Sequence, residues 1–402
     1  MDILFVAHRL PWPPDRGDKI RSHHIVRHLA QRARVHVVAF ADDAVADAGY
    51  REGLAPYVAS LTIVPRRRSR AVAAALALIR GQPVLLPAFE DAALRAAVDE
   101  VIAREAIEAI YLFSVQMAQY LPAQNLPYRA DARIVMDFVD FDSAKYADYG
   151  QRTRGVMGWV LRREARLLLA YERAVAARAE ASVFVSADEA AMFARAGGGG
   201  RVQVIENGID TAFYDPALAV PVSVADGGPL IVFTGQMDYR PNIEAMSAFV
   251  ADILPLVRSR HPGARLAIVG RAPTAAVRAL AGEGVIVTGA VEDVRGWLAA
   301  AAVCVAPLAT ARGVQNKVLE AMAMARAVVA STAAAEGIDH DGTIRVAGDT
   351  QEFAAAVAAL IDAPGEAAAL GAAARARVIA RYAWAARLAP LDDLLGLGRA
   401  AL

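Results

Sequence analysis

The chain has 402 residues, 56% of them hydrophobic, with 43 basic (Lys and Arg) and 43 acidic side chains. That length exceeds the usual roughly 100 to 200 residues of one folding unit and predicts two domains, while the balanced charge excludes an overall field steering the protein to nucleic acid. The single cysteine, Cys304 in the apolar run "AAVCVAPL", excludes an internal disulfide, disfavours a thiolate metal site and reads as a small buried hydrophobe.

From the N-terminus, "MDILFVAHRLPWPPD" carries too short an apolar run for a signal peptide or a membrane span, and the alanine-rich run 71–79 also falls short. The chain is therefore expected to be cytoplasmic and soluble. Short β-branched or apolar runs alternate with longer amphipathic ones, the pattern of strand-helix units on a parallel sheet. Strands are predicted near Ile3–Val6, Val35–Phe40, Ser60–Val64, Ala109–Phe113, Ile134–Asp137, Ser182–Ser186 and Val202–Glu206. A second set follows near Leu230–Thr234, Arg265–Val269, Val285–Thr288, Val303–Ala306 and Ala327–Ala330. Between the sets, "ENGIDTAFYDPALAVPVSVADGGP" is rich in turn-forming residues. The expectation is an α/β fold of two doubly wound sheets: a domain over 1–212, a second over 213–380, and a C-terminal helix over 381–402 that packs back toward the first. Open α/β sheets take ligands at the carboxyl ends of their strands, so the cleft between two such sheets is the expected site.

The turns after the strands carry the chemistry. After the first strand, Gly17 permits close backbone approach, and the helix from about Asp18, with Lys19 and Arg21, offers N–H groups and positive charge to an anion. A long loop capped by Asp18 is the alternative. His24 and His28 stand at i, i+4, near His8 and His23, but no carboxylate completes a ligand set, so no metal is expected. "GGGG" at 197–200 precedes a strand and opens no helix, so it is not a phosphate loop. The carboxylates Asp137, Asp140 and Asp142, with Lys145, read equally as a cation site, as acceptors for sugar hydroxyls, or as helix caps. In "FTGQMDYRPNIEAM", Gly235 makes a tight turn, Pro241 starts a helix, and Arg240 suits a phosphate or simply solvent.

"ARGVQNKVLEAMAMARAVVAS" follows the strand ending at Ala306. Asn316, Lys317 and Glu320 lie in the first turns of its helix, where Lys317 can meet a phosphate and Glu320 can accept from a vicinal diol such as ribose, or by itself simply favour the helix dipole. The chain has only three lysines, so one placed here argues for use.

With the Gly17 loop, "ENGID", "FTGQMDYRPN" and "KVLEAMAMARAVVAS" in that order, the sequence resembles the family 4 glycosyltransferases. It is most similar to the sugar transferases found with bacterial exopolysaccharide and PEP-CTERM sorting systems. The resemblance implies the GT-B fold of two facing Rossmann-like domains with an interdomain cleft, and retaining transfer of a hexose from a nucleotide-diphosphate sugar to a saccharide or lipid-linked acceptor, with no cofactor and no metal. It assigns Glu320 to the donor ribose and Gly17 and Gly313 to the phosphates. Lys317 and Arg240 would neutralise the diphosphate, Gly235, Val314 and Asn316 would line the donor pocket, and Asp140 the acceptor or sugar side. Two departures stand out. Arg312 occupies the position where the family carries a sugar-contacting glutamate, and Gln236 and Pro241 replace the arginine and lysine of the glycine turn. A nucleotide-sugar 2-epimerase of the same fold and a non-catalytic nucleotide-sugar-binding protein are the rival readings. The segment 151–180 has seven arginines and three glutamates interspersed with Trp159, Val160 and leucines. It is either a helix with a solvated arginine face or a peripheral contact with the inner membrane.

Overall fold

The structure, a computed structural model, describes residues 1–14, 16–41, 49–121, 132–224, 227–311 and 314–398. Two compact units are present: Met1–Asn207 together with the segment from Arg387, and Gly208–Ala386.

The first unit is built on a seven-stranded parallel sheet: β1 (Asp2–Ala7), β2 (Arg34–Ala41), β3 (Ser60–Pro65), β4 (Ile107–Phe113), β5 (Arg133–Val139), β6 (Ala181–Phe184) and β7 (Arg201–Val204). Its strand order is β3-β2-β1-β4-β5-β6-β7. The central strands are near-continuous apolar runs because helices cover both faces; Ile3 to Phe5 and Val37 to Ala39 are fully buried. Phe5 stacks on Tyr111 at 5.3 Å, and Phe138 on Phe184 at 5.1 Å.

The second unit repeats the design with six parallel strands: β8 (Leu230–Thr234), β9 (Arg265–Val269), β10 (Val285–Gly289), β11 (Val303–Ala306), β12 (Val328–Ser331) and β13 (Arg345–Ala347), ordered β10-β9-β8-β11-β12-β13. Cys304 is buried in β11. Strand β13 was not foreseen: it is three residues long, pairs only with β12, and its pattern Arg-Val-Ala leaves Val346 exposed at the sheet edge. The strand expected to run to Ser186 ends at Phe184, because Ser186 caps the next helix by accepting from the Glu189 N–H at 3.3 Å.

In each sheet the order reverses at one place, between β1 and β4 and between β8 and β11. There the loops leaving adjacent strands diverge to opposite faces and open a crevice at the carboxyl edge.

A buried ion pair anchors the first crevice. Arg21, on the helix Gly17–Ala30, is 1% exposed and donates from Nε to Asp137 at 3.1 Å; Asp137 itself is 0% exposed. Tyr111 donates to the same carboxylate at 2.7 Å, and Arg21 Nη1 reaches the Ile205 carbonyl at 2.8 Å and Asn207 at 3.1 Å. Arg21 is therefore a structural cation, not the ligand-facing charge expected from sequence. Lys19 likewise donates to the Trp12 carbonyl at 3.0 Å.

Asp137→Ala would strand the Arg21 charge in the core and is expected to lower unfolding free energy by about 3–5 kcal/mol in chemical denaturation. Glu172, enclosed by its own unit and accepting from Ser143, is pushed up to about 8 by burial. Its folded form holds a proton that the unfolded chain releases near the ordinary carboxylate range, so this site's stability contribution is full in acid and is lost as pH rises toward 8. Melting curves of Glu172→Gln should flatten over that window.

Candidate functional site

In the second unit a cavity of about 510 Å³ opens at the carboxyl ends of β8 and β9 and beside the helix Asn316–Ala323, within the size range of small-ligand sites. Its walls include Gly235, Gly270, Arg271, Val314, Lys317 and Glu320.

Two glycines shape the floor. A Cβ on Gly270 would lie 1.7 Å from the Gly235 carbonyl oxygen, and the Gly270 φ of +153° already favours glycine. A Cβ on Gly235 would meet Asn242 at 2.8 Å and the Lys317 ammonium at 3.3 Å. Gly235 was expected from its turn; Gly270 was not, although "IVGRAP" after a predicted strand repeats the same strand-to-glycine signal.

Lys317 is fixed from three sides. Its ammonium donates to Asn242 Oδ1, sits 4.4 Å from the Phe233 ring centroid and lies one helical turn from Glu320. Asn242 is 4% exposed and anchors back to the Gln236 carbonyl at 2.8 Å, so it positions the lysine against the turn after β8. Burial pushes Lys317 down to about 8, with Glu320 partly opposing the shift. Burial pushes Glu320 above the ordinary carboxylate range, countered by a hydrogen bond from Tyr214 and by Lys317. Burial and then the Glu320 charge raise Tyr214 in turn, so its phenol stays a donor and orients the carboxylate. Asn242 and Tyr214 escaped the sequence reading because nothing local marks them: each acts through a residue at least 75 positions away.

Arg240 is placed differently from its sequence partners. Its side chain is 87% exposed and pairs with Glu244 at 2.7 Å on its own helix, away from the cavity wall. Arg271 lines the cavity instead and donates to Gln236 at 3.1 Å. Asn316 is the first residue of the helix and, with Val314, lines the cavity. Arg312 and Gly313 lie outside the described residues.

The first unit has a separate cavity of about 520 Å³ at the carboxyl ends of β1, β4 and β5, lined by His8, Asp18, Phe89, Ser114, Val139 and Asp140, among others. Ser114 and Val139, which close β4 and β5 there, adopt φ of +78° and +66°; a β-branched residue in that region is strained, and such strain concentrates at ligand sites. Asp140 salt-bridges Lys145 at 2.5 Å, and Lys145 also reaches Asp142 at 3.4 Å. Asp18 does not cap its helix, whose N-cap is Arg16; its carboxylate turns to His8 at 3.3 Å and to Arg9. Gly17 is the first residue of that helix, with open space where a Cβ would stand. His28 is committed to Asp392 at 2.9 Å and His23 to the Pro11 carbonyl at 3.1 Å. Asp2, His36 and Glu105 have metal-ligand spacing, but Arg34 already bridges Asp2 and Glu105 at 2.9 and 3.5 Å.

Comparison with known proteins agrees with this geometry. Residues 228–363 match the family described as Glycosyl transferases group 1, a stretch that holds nearly the whole second-unit cavity. No curated protein sequence matches the chain. Among solved structures, Anabaena Alr3699/HepE in complex with UDP is 17% identical, with 98% of this chain and 100% of that chain covered and a TM-score of 0.59. Sucrose-phosphate synthase from Thermosynechococcus elongatus is 19% identical over 98% of each chain, TM-score 0.56. A glycosyltransferase from Rickettsia africae is 14% identical, covering 100% of this chain and 99% of that one, TM-score 0.61. At these identities the likeness shows the fold: α/β, two Rossmann-like units of the GT-B kind.

Gly270→Ala should destabilise the second unit by about 1–3 kcal/mol through overpacking against the Gly235 carbonyl. Gly282→Ala, where a Cβ meets nothing within 4 Å, serves as the control with near-native melting.

Proposed function

We propose that the protein is a retaining glycosyltransferase that moves a hexose from a nucleotide-diphosphate sugar to a saccharide or lipid-linked acceptor in exopolysaccharide assembly. The observation that carries the reading is the Lys317–Glu320 pair: a cation and a diol-accepting carboxylate one helical turn apart, at a helix N-terminus, over a glycine floor at the switch point of a parallel sheet. The match of residues 228–363 to the glycosyl transferases group 1 supports a glycosyltransferase, and the UDP and UDP-glucose complexes of the Anabaena protein support a nucleotide sugar as donor. The sequence resemblance supports retention and the exopolysaccharide role.

In this reading Glu320, held by the Tyr214 hydroxyl, accepts from the ribose diol. As the sugar C1–oxygen bond breaks, negative charge grows on the departing diphosphate, and Lys317 meets it from a pre-set position. Arg271 supplies the second cation in the place given to Arg240 by sequence, since its guanidinium is at the cavity and that of Arg240 pairs with Glu244. The diphosphate charge is thus met by side chains and the reaction asks for no metal. The first-unit cavity, with Asp140 at its wall, takes the acceptor hydroxyls. The reaction is placed in the cytoplasm, at the inner membrane when the acceptor is lipid-linked.

Thermal shifts against UDP, GDP and ADP and their sugars test the reading: one diphosphate should stabilise the protein by mass action, and Glu320→Ala should abolish the shift. No shift with any nucleotide would overturn it; binding without transfer or hydrolysis would favour a binding protein, and donor conversion without acceptor an epimerase. Lys317→Ala should lower kcat by about 10²–10³, the usual cost of one transition-state donor, while melting stays near native. Because Lys317 loses its proton near pH 8, diphosphate affinity measured by calorimetry should fall as pH rises through about 8, and the Lys317→Ala profile should be flat there.

A further inference from the structure

The Glu320 carboxylate is oriented by a phenol that comes from a turn, and the ties on that turn lie outside the cavity. Tyr214 belongs to the segment 210–215, which is neither helix nor strand. Such a segment holds a side chain in one place only where its backbone is fastened by neighbours. Asp210 opens it, accepting from the Ala212 and Phe213 N–H groups at 3.1 and 2.9 Å, and the Tyr214 N–H donates to the Asp210 carbonyl at 2.9 Å.

Two arginines from distant parts of the chain do the fastening. Arg295, itself paired with Asp293 at 2.7 Å, lies 4.1 Å from the Phe213 ring centroid and donates to the Phe213 carbonyl at 3.0 Å. Arg375, 20% exposed, reaches Asp215 at 3.5 Å, and its Nη1 donates to the Tyr214 carbonyl at 2.7 Å and also to the Ala323 carbonyl. Ala323 is the last residue of the helix Asn316–Ala323 that carries Glu320, and helix ends leave such carbonyls without an intrahelical donor. One guanidinium nitrogen thus joins the backbone of the phenol to the backbone of the helix whose carboxylate that phenol orients. Packing sets the register of this bridge. A Cβ on Gly371 would lie 2.1 Å from the Ala325 carbonyl oxygen, so the helix Pro364–Tyr382 passes the end of the Glu320 helix at backbone contact. Arg375 stands one turn further along the same face, and Ala374 and Val378 beside it are fully buried.

We propose that Arg375 is a positioning residue for donor recognition: from outside the cavity wall it sets the preference for a ribose diol, by holding Tyr214 where its hydroxyl orients Glu320. The inference rests on the nucleotide-sugar reading of this cavity and extends it to a residue 161 positions from the phenol it places. Without the guanidinium, the Tyr214 and Ala323 carbonyls lose their common donor. The phenol then relaxes away from Glu320, and the carboxylate no longer faces both ribose hydroxyls in a fixed geometry. Lys317 is seated separately, by Asn242 and the Phe233 ring, so the diphosphate keeps its cation. Loss of Arg375 therefore acts on the sugar of the nucleotide and spares its phosphates.

Calorimetric affinities of the full chain for UDP, GDP and ADP and for their 2′-deoxy forms test it. The unaltered protein should prefer the ribose form of its diphosphate by about tenfold or more, the worth of one hydrogen bond to a charged acceptor. Arg375→Ala should cut that preference by about threefold or more, a coupling usual within one hydrogen-bond network. In a Tyr214→Phe background the same substitution should leave the preference where it stands, because the arginine then has no hydroxyl to place. Should Arg375→Ala fail to fold, Arg375→Lys, which keeps a shorter donor, takes its place with the same expected direction. An unchanged preference in the Arg375 variant, or an equal loss in both backgrounds, overturns the proposal, since a purely structural role gives either result. If the unaltered protein binds no diphosphate, or does not distinguish ribose from deoxyribose, the ribose reading of Glu320 falls first and the proposal with it.

Discussion

The Arg21–Asp137 pair is the constraint on which the first unit's ligand-facing edge depends. Its partners come from the first helix, from β4 through Tyr111, from β5, and from the chain leaving β7 at Ile205 and Asn207. Two charges taken fully out of water are costly unless each lone pair and proton is met, so this arrangement admits little variation in how those four segments sit. Asp18 lies one turn before Arg21 on the same helix, and its contact with His8 is therefore placed by a bond made deeper in the core. Asp137 also accepts from the Val139 N–H at 2.9 Å, which ties the strained residue at the cavity wall to the same carboxylate.

The second unit reaches the equivalent position by steric means. A Cβ on Gly270 would run into the Gly235 carbonyl and one on Gly235 would press on the Asn242 amide and the Lys317 ammonium, while Asn242 fills the remaining space with bonds to the Gln236 carbonyl and Lys317. One sheet design thus carries two different solutions at its switch point. A charged network rigidifies the edge of the first, and a small-residue contact leaves room for a ligand over the floor of the second.

Much of this was legible in the sequence, and the parts that were not share a cause. Parallel strands buried on both faces announce themselves as apolar runs, which is why β1 to β12 could be placed within a few residues, whereas the edge strand β13 offers three residues of mixed character. Lys317 and Glu320 were readable because a local rule, helix start after a strand and a turn, places them together. Arg21 was misread by the same local rules as a ligand-facing charge, and Asp137 was left open between a cation site, a sugar acceptor and a helix cap; only the pairing across 116 positions shows that they satisfy each other. Arg240 and Arg271 show the converse. Both follow strand ends by a few residues, and the difference is that Glu244 stands one turn after Arg240 and draws it along its own helix.

The three lysines sharpen this point about charge placement. Among 43 basic residues, lysine appears only at 19, 145 and 317, and each is held at a short, specific acceptor: the Trp12 carbonyl, the Asp140 and Asp142 carboxylates, and the Asn242 amide oxygen. An ammonium is a compact point charge that can be seated in such a space, while a guanidinium needs a planar fork of acceptors and more room. At 317 the difference bears on chemistry as well as fit. Arginine there would keep its charge at any working pH, but its planar fork is poorly matched to the single Asn242 oxygen and the Phe233 ring that seat the ammonium. A cation pre-set over a floor this close can meet a diphosphate without first rearranging, which is what an electrostatic contribution to bond breaking requires.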